Sequence, residues 1–168
     1  GEGELHTGNM MRALLEMAIE HKIEIRSGCA IRFFEETSSG VRVQVNGQTR
    51  GDNWTLSAKH LFICTNAFTK LLLLEEDVQP GRGQVLVTRP IHGLPWKGIY
   101  HFDKGYYYFR EVEGRILFGG GRHLDFDQET TTEIELNREI QSDLIHKLKH
   151  DILPGIPFEI DLQWSGIM

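Results

Sequence analysis

The sequence predicts a mixed α/β fold (α+β mixed), and three observations predict it. The run Leu61-Phe62-Ile63-Cys64 is apolar throughout and short, which reads as a strand buried on both faces, as in a parallel sheet. Short extended segments crowd the region 84–119 with turn residues between them, the pattern of adjacent antiparallel strands. Two stretches, 7–22 and 129–150, carry apolar residues at helical spacing. At 168 residues and 40% hydrophobic composition, the chain is long enough for a sizeable core, in one domain or two interleaved parts.

Taken in order, Met10, Met11, Leu14, Leu15, Ala18 and Ile19 give an amphipathic helix from Thr7 to about Lys22, with Thr7 or Asn9 as its N-cap. Ile23 to Arg26 alternates like a short strand, Ser27-Gly28 turns, and Cys29 to Glu35 is extended again. Val41, Val43 and Val45 alternate with polar residues, Asn46-Gly47 signals a tight turn, and Trp54, Leu56 and Ala58 resume the alternation, so a hairpin is expected. Beyond Pro80-Gly81, strands are expected over Gln84–Thr88, Gly105–Glu111 and Arg115–Gly119, the last two joined at Glu113-Gly114. Glu129 to His150 reads as one long helix with Ile134, Ile140, Leu144 and Leu148 on one face and Pro154 closing it. A last strand covers Phe158 to Trp164.

Charge narrows the function classes. A net charge of −6 argues against a broad basic surface, so nucleic acid and anionic membranes are poor partners, and a small molecule or a protein fits better. The two cysteines, Cys29 and Cys64, sit in apolar segments outside any metal-like spacing, which predicts buried reduced thiols and a cytoplasmic setting. No apolar run approaches a membrane span and the first residues lack a secretory signal pattern. The absent initiating Met and the end at Ile167-Met168 predict a piece of a longer protein.

Several short segments, taken together, carry a resemblance. They are Gly3-x-Leu5-His6 before a helix, Cys29-Ala30-Ile31, Phe62-Ile63-Cys64-Thr65-Asn66-Ala67, Arg82-Gly83-Gln84, Tyr108-Phe109-Arg110, Gly114 to Gly120, and Trp164-Ser165-Gly166. In this order they resemble the FAD-dependent amine and D-amino-acid oxidase family, which includes glycine oxidase and sarcosine oxidase. The resemblance implies part of an FAD-binding, Rossmann-like domain (1–38 and 57–79) interleaved with an antiparallel substrate domain. That second domain comprises a hairpin at 39–56 and a sheet with a helix at 80–157; residues 158–168 begin the return to the FAD domain. It further implies that FAD is the cofactor of the parent protein, contacted near Ile31, Thr65, Asn66, Ala67, Arg82, Gly83 and Gln84. Each has a plainer reading: Ile31 as core, Thr65-Asn66-Ala67 as a turn, Arg82 as an exposed residue after Pro80-Gly81.

For substrate, the resemblance points to Tyr106, Tyr108 and Arg110, which alternate and could share one side of a strand; ordinary packing and a surface charge are the alternative. The implied reaction transfers a hydride equivalent from an amine or amino acid to flavin, in the full-length parent and not in this piece alone. Alternatives are a flavin-dependent hydroxy-acid dehydrogenase and a non-catalytic binding module. Two departures stand out. The GxGxxG fingerprint is absent, and Gly119-Gly120-Gly121 more plausibly ends a strand than replaces it. Where glycine oxidase-like members continue Trp-x-Gly-x-Arg, this chain has Met168, which puts an α-amino-acid substrate in doubt and leaves room for an amine without a carboxylate, or for another arginine, such as Arg110 or Arg122, as the anchor. Among eight histidines, His146 and His150 share a helix face but lack a third metal ligand, and Asp125, Asp127 and Glu129 read as loop solvation or helix N-terminal charge.

Overall fold

The computed structural model describes residues 3–47 and 53–168. The chain divides into two compact units: one holds residues through Thr65 with Thr69–Glu76, the other Asn66–Phe68 with Asp77–Met168.

In the first unit, the Met, Leu and Ala content between Thr7 and Glu20 forms helix α1. Its N-cap is His6, not Thr7 or Asn9: the His6 imidazole Nδ1 accepts the Asn9 N–H at 3.2 Å. None of the residues of α1 is buried. Ile23 to Arg26 is not a strand; it pairs with no other described segment, and Ile23 and Ile25 are exposed. Strands β1 (Ala30–Thr37), β2 (Gly40–Asn46) and β3 (Asn53–Ala58) form an antiparallel sheet in that order. The alternation of β2 places Val41, Val43 and Val45 on one face, where Cys29, Phe34 and Trp54 pack against them. The connection from β2 to β3 runs through residues 48–52, outside the described residues, so the turn expected at Asn46-Gly47 lies partly there.

The buried parallel strand expected at Leu61 to Cys64 is absent. The segment is irregular and Phe62 is 85% exposed, because a parallel strand needs neighbours to satisfy its backbone and no described segment pairs with it. Every ladder among the described residues is antiparallel. Both thiols are free, but they are not buried: Cys64 is exposed and Cys29 half-buried.

The second unit is built on a five-stranded antiparallel sheet of order β5-β6-β7-β4-β8, with β4 Arg82–Thr88, β5 Ile99–Phe102, β6 Tyr107–Val112, β7 Arg115–Gly120 and β8 Ile160–Ile167. The β6–β7 turn places Glu113 and Gly114 at φ 52° and 74°, the left-handed pair that a two-residue hairpin needs to match strand twist. Helix α2 spans only Arg138–Lys147, shorter than the long helix expected from Glu129. Asn137 starts it, its side chain accepting the N–H groups of Glu139 and Ile140. Residues 129–136 are irregular and Ile134 is 73% exposed. A wider π-type turn, Leu148–Ile152, continues α2 up to Pro154, where the missing N–H and ring close it. Ile140, Leu144 and Leu148 recur every four residues and pack, with Ile152 and Leu153, on Leu86, Tyr107, Phe109, Ile116 and Phe118 of the sheet. The short strand β5, unforeseen in the sequence, adds Tyr100, whose ring stacks on Phe109 at 4.7 Å.

Candidate functional site

Alternation along β6, β7, β4 and β8 separates the sheet into two faces. Tyr107, Phe109, Ile116, Phe118 and Leu86 point to α2 and form the core. The register then puts Tyr108, Gly119, Val85 and Trp164 in one row across the other face, and Arg110, Leu117, Val87 and Leu162 in the next. Tyr108 and Arg110 therefore share a side, as expected. Tyr106 does not belong with them. It precedes β6 in a right-handed helical conformation and stacks on His123 at 4.1 Å.

Glycine shapes this second face. A side-chain carbon at Gly119 would fall 2.6 Å from the Tyr108 hydroxyl, so the Tyr108 ring lies down on bare backbone, and its burial there pushes the phenol pKa up. Gly83 pairs directly with Gly166. A side chain at Gly166 would meet nothing within 4 Å, whereas at Gly83 it would meet the Met168 Cε methyl at 3.2 Å. One step further, Gly81 and Met168 exchange backbone hydrogen bonds of 2.7 and 2.8 Å. The Arg122 guanidinium covers Gly81, with Cζ 2.9 Å from where a Cβ would stand, and its Cζ lies 5.4 Å from the Phe126 ring centroid.

The neighbouring residues Arg82 and Gln84 point the opposite way, and the exposed Arg82 considered from the sequence is buried. Its guanidinium donates from Nε and Nη2 to both oxygens of Glu129, at 3.1 and 2.8 Å. Glu129 is fully buried, not solvated, and also accepts from Gln84 Nε2 at 3.1 Å and Asn137 Nδ2 at 3.0 Å. Burial alone would raise the Glu129 carboxyl, but these hydrogen bonds and the charge of Arg82 hold it below the usual carboxylate range; the hydrogen bond to Glu129 likewise raises Arg82. Gln141 of α2 extends the network, donating to Gln84 Oε1 at 3.2 Å and accepting from Gln163 at 2.7 Å. The side chains of Arg82 and Gln84 thus fasten the 125–137 loop to β4; of this trio, Gly83 alone faces the Tyr108 side.

The remaining expected residues occupy other places. Ile31 lies on β1 beside a bulge and is exposed, so it is not core. Thr65 Oγ1 pairs with Thr69 Oγ1 at 3.2 Å in the first unit. Asn66 and Ala67 begin a 3-10 turn; Asn66 has φ 45° and Ala67 is buried. In the first unit, a cleft of ≈ 460 Å³ lies among Phe34, Thr37, Lys59, His60 and Phe62 and includes none of the residues nominated from sequence. Gly119 to Gly121 does end β7, and it leads into a three-residue 3-10 turn at Arg122–Leu124, with no phosphate-binding helix after it. The His146 and His150 rings lie 4.4 Å apart, but no group of three metal-capable residues occurs among the described residues. No helix of the described residues is long and apolar enough to cross a membrane. Trp164, Arg122 and Phe126 enter the face without having been nominated for it as a group. Alternation from Gly81 through Gly83 to Val85 was the sequence signal that could have found it.

The chain is similar in structure to L-proline dehydrogenase from P. horikoshii, with a TM-score of 0.66 and 16% identity, covering 93% of this chain and 41% of that one. It is similar to glycine oxidase from Geobacillus kaustophilus at TM-score 0.61 and 18% identity, over 83% of this chain and 35% of that one. A third likeness is to an anhydrotetracycline hydroxylase from Streptomyces rimosus, at TM-score 0.52 and 16% identity, over 94% and 31%. A search of curated proteins returned no match. The chain thus spans well under half of these solved relatives, and at such identities they speak to the fold. The family model described as "DAO: FAD dependent oxidoreductase" matches residues 1–168, and the chain belongs to that family.

Proposed function

We propose that this chain contributes the substrate-facing sheet of an FAD-dependent oxidoreductase that oxidises a small amine or amino acid. The observation that carries the reading is the sheet face opposite α2. Tyr108, lying on Gly119, and Trp164 flank a floor lowered by Gly83 and Gly166, with the charge of Arg110 alongside. Missing side chains let a planar molecule approach backbone closely, aromatic walls bury its apolar part, and positive charge favours an acidic substituent.

FAD, when bound, supplies a ring that accepts a hydride equivalent. The residues that fit beside such a ring are those of the glycine floor, since Gly166 opens on free space. The described residues contain no glycine-rich turn opening a helix that would hold the pyrophosphate. The roles of Ile31, Thr65, Asn66 and Ala67 toward the cofactor are part of this proposal, as is the division of work between an FAD-binding part and a substrate part. What this chain's residues do is bind and orient: Tyr108 stays protonated against Gly119 and presents a neutral wall, and the core behind the sheet keeps its strands rigid.

The test is a visible absorbance spectrum of the full-length protein, followed by anaerobic addition of amines and amino acids. Flavin bands that bleach with one of these substrates support the reading. A folded protein that takes up no flavin in excess FAD would instead favour a binding module. Bleaching by hydroxy acids alone would move the substrate to that class.

A further inference from the structure

We propose that His146 and His150 form a two-imidazole site for a divalent transition ion, copper(II) first and nickel(II) second, on the solvent side of α2. The site is separate from the sheet face described above and does not depend on the flavoenzyme reading. Three observations carry it.

Ring geometry comes first. Residues four apart on a helix leave the same stripe, and these two rings have centres 4.4 Å apart and planes tilted by 43° to each other. An ion about 2.0 Å from one nitrogen of each ring lies about 3.2 Å from each ring centre. Centres 4.4 Å apart then subtend roughly a right angle at the ion, whereas a tetrahedral angle would need about 5 Å. A right angle joins adjacent positions of a square-planar or octahedral ion. Copper(II) and nickel(II) take nitrogen ligands in such arrangements, and copper heads the affinity order of the divalent ions at a given nitrogen site.

The backbone is the second observation. His150 lies in the π-type turn Leu148–Ile152, which the Leu153 N–H closes by donating to the Leu148 carbonyl at 2.8 Å. Leu144, Leu148, Ile152 and Leu153 bracket both histidines and are buried against the sheet, so the chain beneath the rings is held on either side. Wide turns of this kind are uncommon and gather at functional sites. Two ligands carried by a packed helix lose little freedom when an ion joins them.

Free valence is the third. Neither ring has a hydrogen-bond or ion-pair partner among the described residues. By contrast, His6 caps α1, His21 Nδ1 reaches the Met17 carbonyl, and His123 stands 3.9 Å from Asp103. Neighbouring charge is partly drawn away from the pair. Lys147 lies over the Tyr107 ring at 4.8 Å, and Asp143, on the same stripe, accepts the Tyr107 hydroxyl at 2.7 Å. Lys149 and Asp151, both exposed, flank His150 with opposite signs. The protein therefore supplies two nitrogen ligands and water fills the remaining positions, a donor set that suits copper or nickel and not magnesium. An ion held this way joins α2 to the turn that follows it and stabilises the folded chain.

The experiment titrates the full-length protein, freed of any affinity tag, with the chlorides of copper(II), nickel(II), zinc(II) and magnesium by calorimetry. Wild type is expected to take up a copper ion more tightly than nickel or zinc. His146→Ala and His150→Ala should each weaken that binding by at least about tenfold, and the double variant should be little worse than either, because one imidazole alone cannot chelate. His92→Ala, at an exposed histidine elsewhere, should change it by less than about threefold. Nickel, which leaves the exposed Cys64 thiol unoxidised, should raise Tm in wild type and in His92→Ala but not in the variants of the pair. Circular dichroism checks folding, and His146→Gln and His150→Gln repeat the test if an alanine variant fails to fold. Copper binding that survives loss of either histidine, an equal loss in His92→Ala, a preference for zinc or magnesium over copper, or a Tm that nickel leaves unchanged in wild type overturns the inference.

Discussion

The two faces of the five-stranded sheet handle polar groups in opposite ways. Behind it, Arg82, Gln84, Glu129, Asn137 and Gln141 are buried and satisfy one another. In front, the Tyr108 ring lies on the bare backbone of Gly119, and the Arg122 Nε is buried with no acceptor among the described residues. A buried ion whose every hydrogen bond is made within the chain explains itself as structure.

The largest effect that could break this comparison is on the closed face. Removing the carboxylate in Glu129→Ala leaves the Arg82 charge buried without a partner, which is expected to cost about 3–5 kcal/mol. Urea denaturation followed by Trp96 and Trp164 fluorescence measures it. A loss below about 1 kcal/mol would mean that water reaches Arg82 and the two faces are less distinct than drawn. Leu144→Ala, fully buried under the same sheet, should cost about 2–5 kcal/mol through the cavity it leaves.

These two sites also show what could be read from the chain. The valines of β2 and the β6–β7 hairpin were legible because alternation and a turn dipeptide are local signals. Leu144 was legible as core because its helical neighbours carry the period. Glu129 was not. Its partner Arg82 is 47 positions away, and only a tertiary contact can turn a loop glutamate into a buried anion. The same contact explains why the helix starts at Asn137 instead of Glu129: the loop carrying Glu129 is bound to β4 through Arg82 and Gln84, and Asn137, which also donates to Glu129, is placed to cap α2. The run at Leu61 failed for the converse reason, since an apolar segment becomes a parallel strand only beside other strands. The face bearing Tyr108 and Arg110 was legible by parity, whereas Tyr106 departed from it because β6 begins one residue later.

A pH titration sharpens the contrast at intermediate cost. The folded-state pKa of Glu129 is depressed, so its contribution is complete above the unfolded glutamate value of about 4.3 and is lost as pH falls through the folded value. The stability gap between wild type and Glu129→Gln should therefore be constant at neutral pH and narrow below that range. A gap independent of pH down to the acid limit would show that Glu129 titrates alike in the folded and unfolded protein and that Arg82 is held by other means.

The smallest stability change is expected in front. Leu162 lies at the edge strand on the Tyr108 face and is exposed, so Leu162→Ser removes little buried area and should stay within about 0.5 kcal/mol of wild type. Its neighbour across the ladder, Val87, is buried, so some packing is at stake, but an edge strand can adjust without disturbing α2. If this face receives substrate, the same change should raise KM for the amine while leaving kcat nearly unchanged, because an apolar wall contributes binding in ground and transition states alike. A large loss of stability with unchanged KM would assign Leu162 to packing and draw the boundary of the substrate face at Trp164.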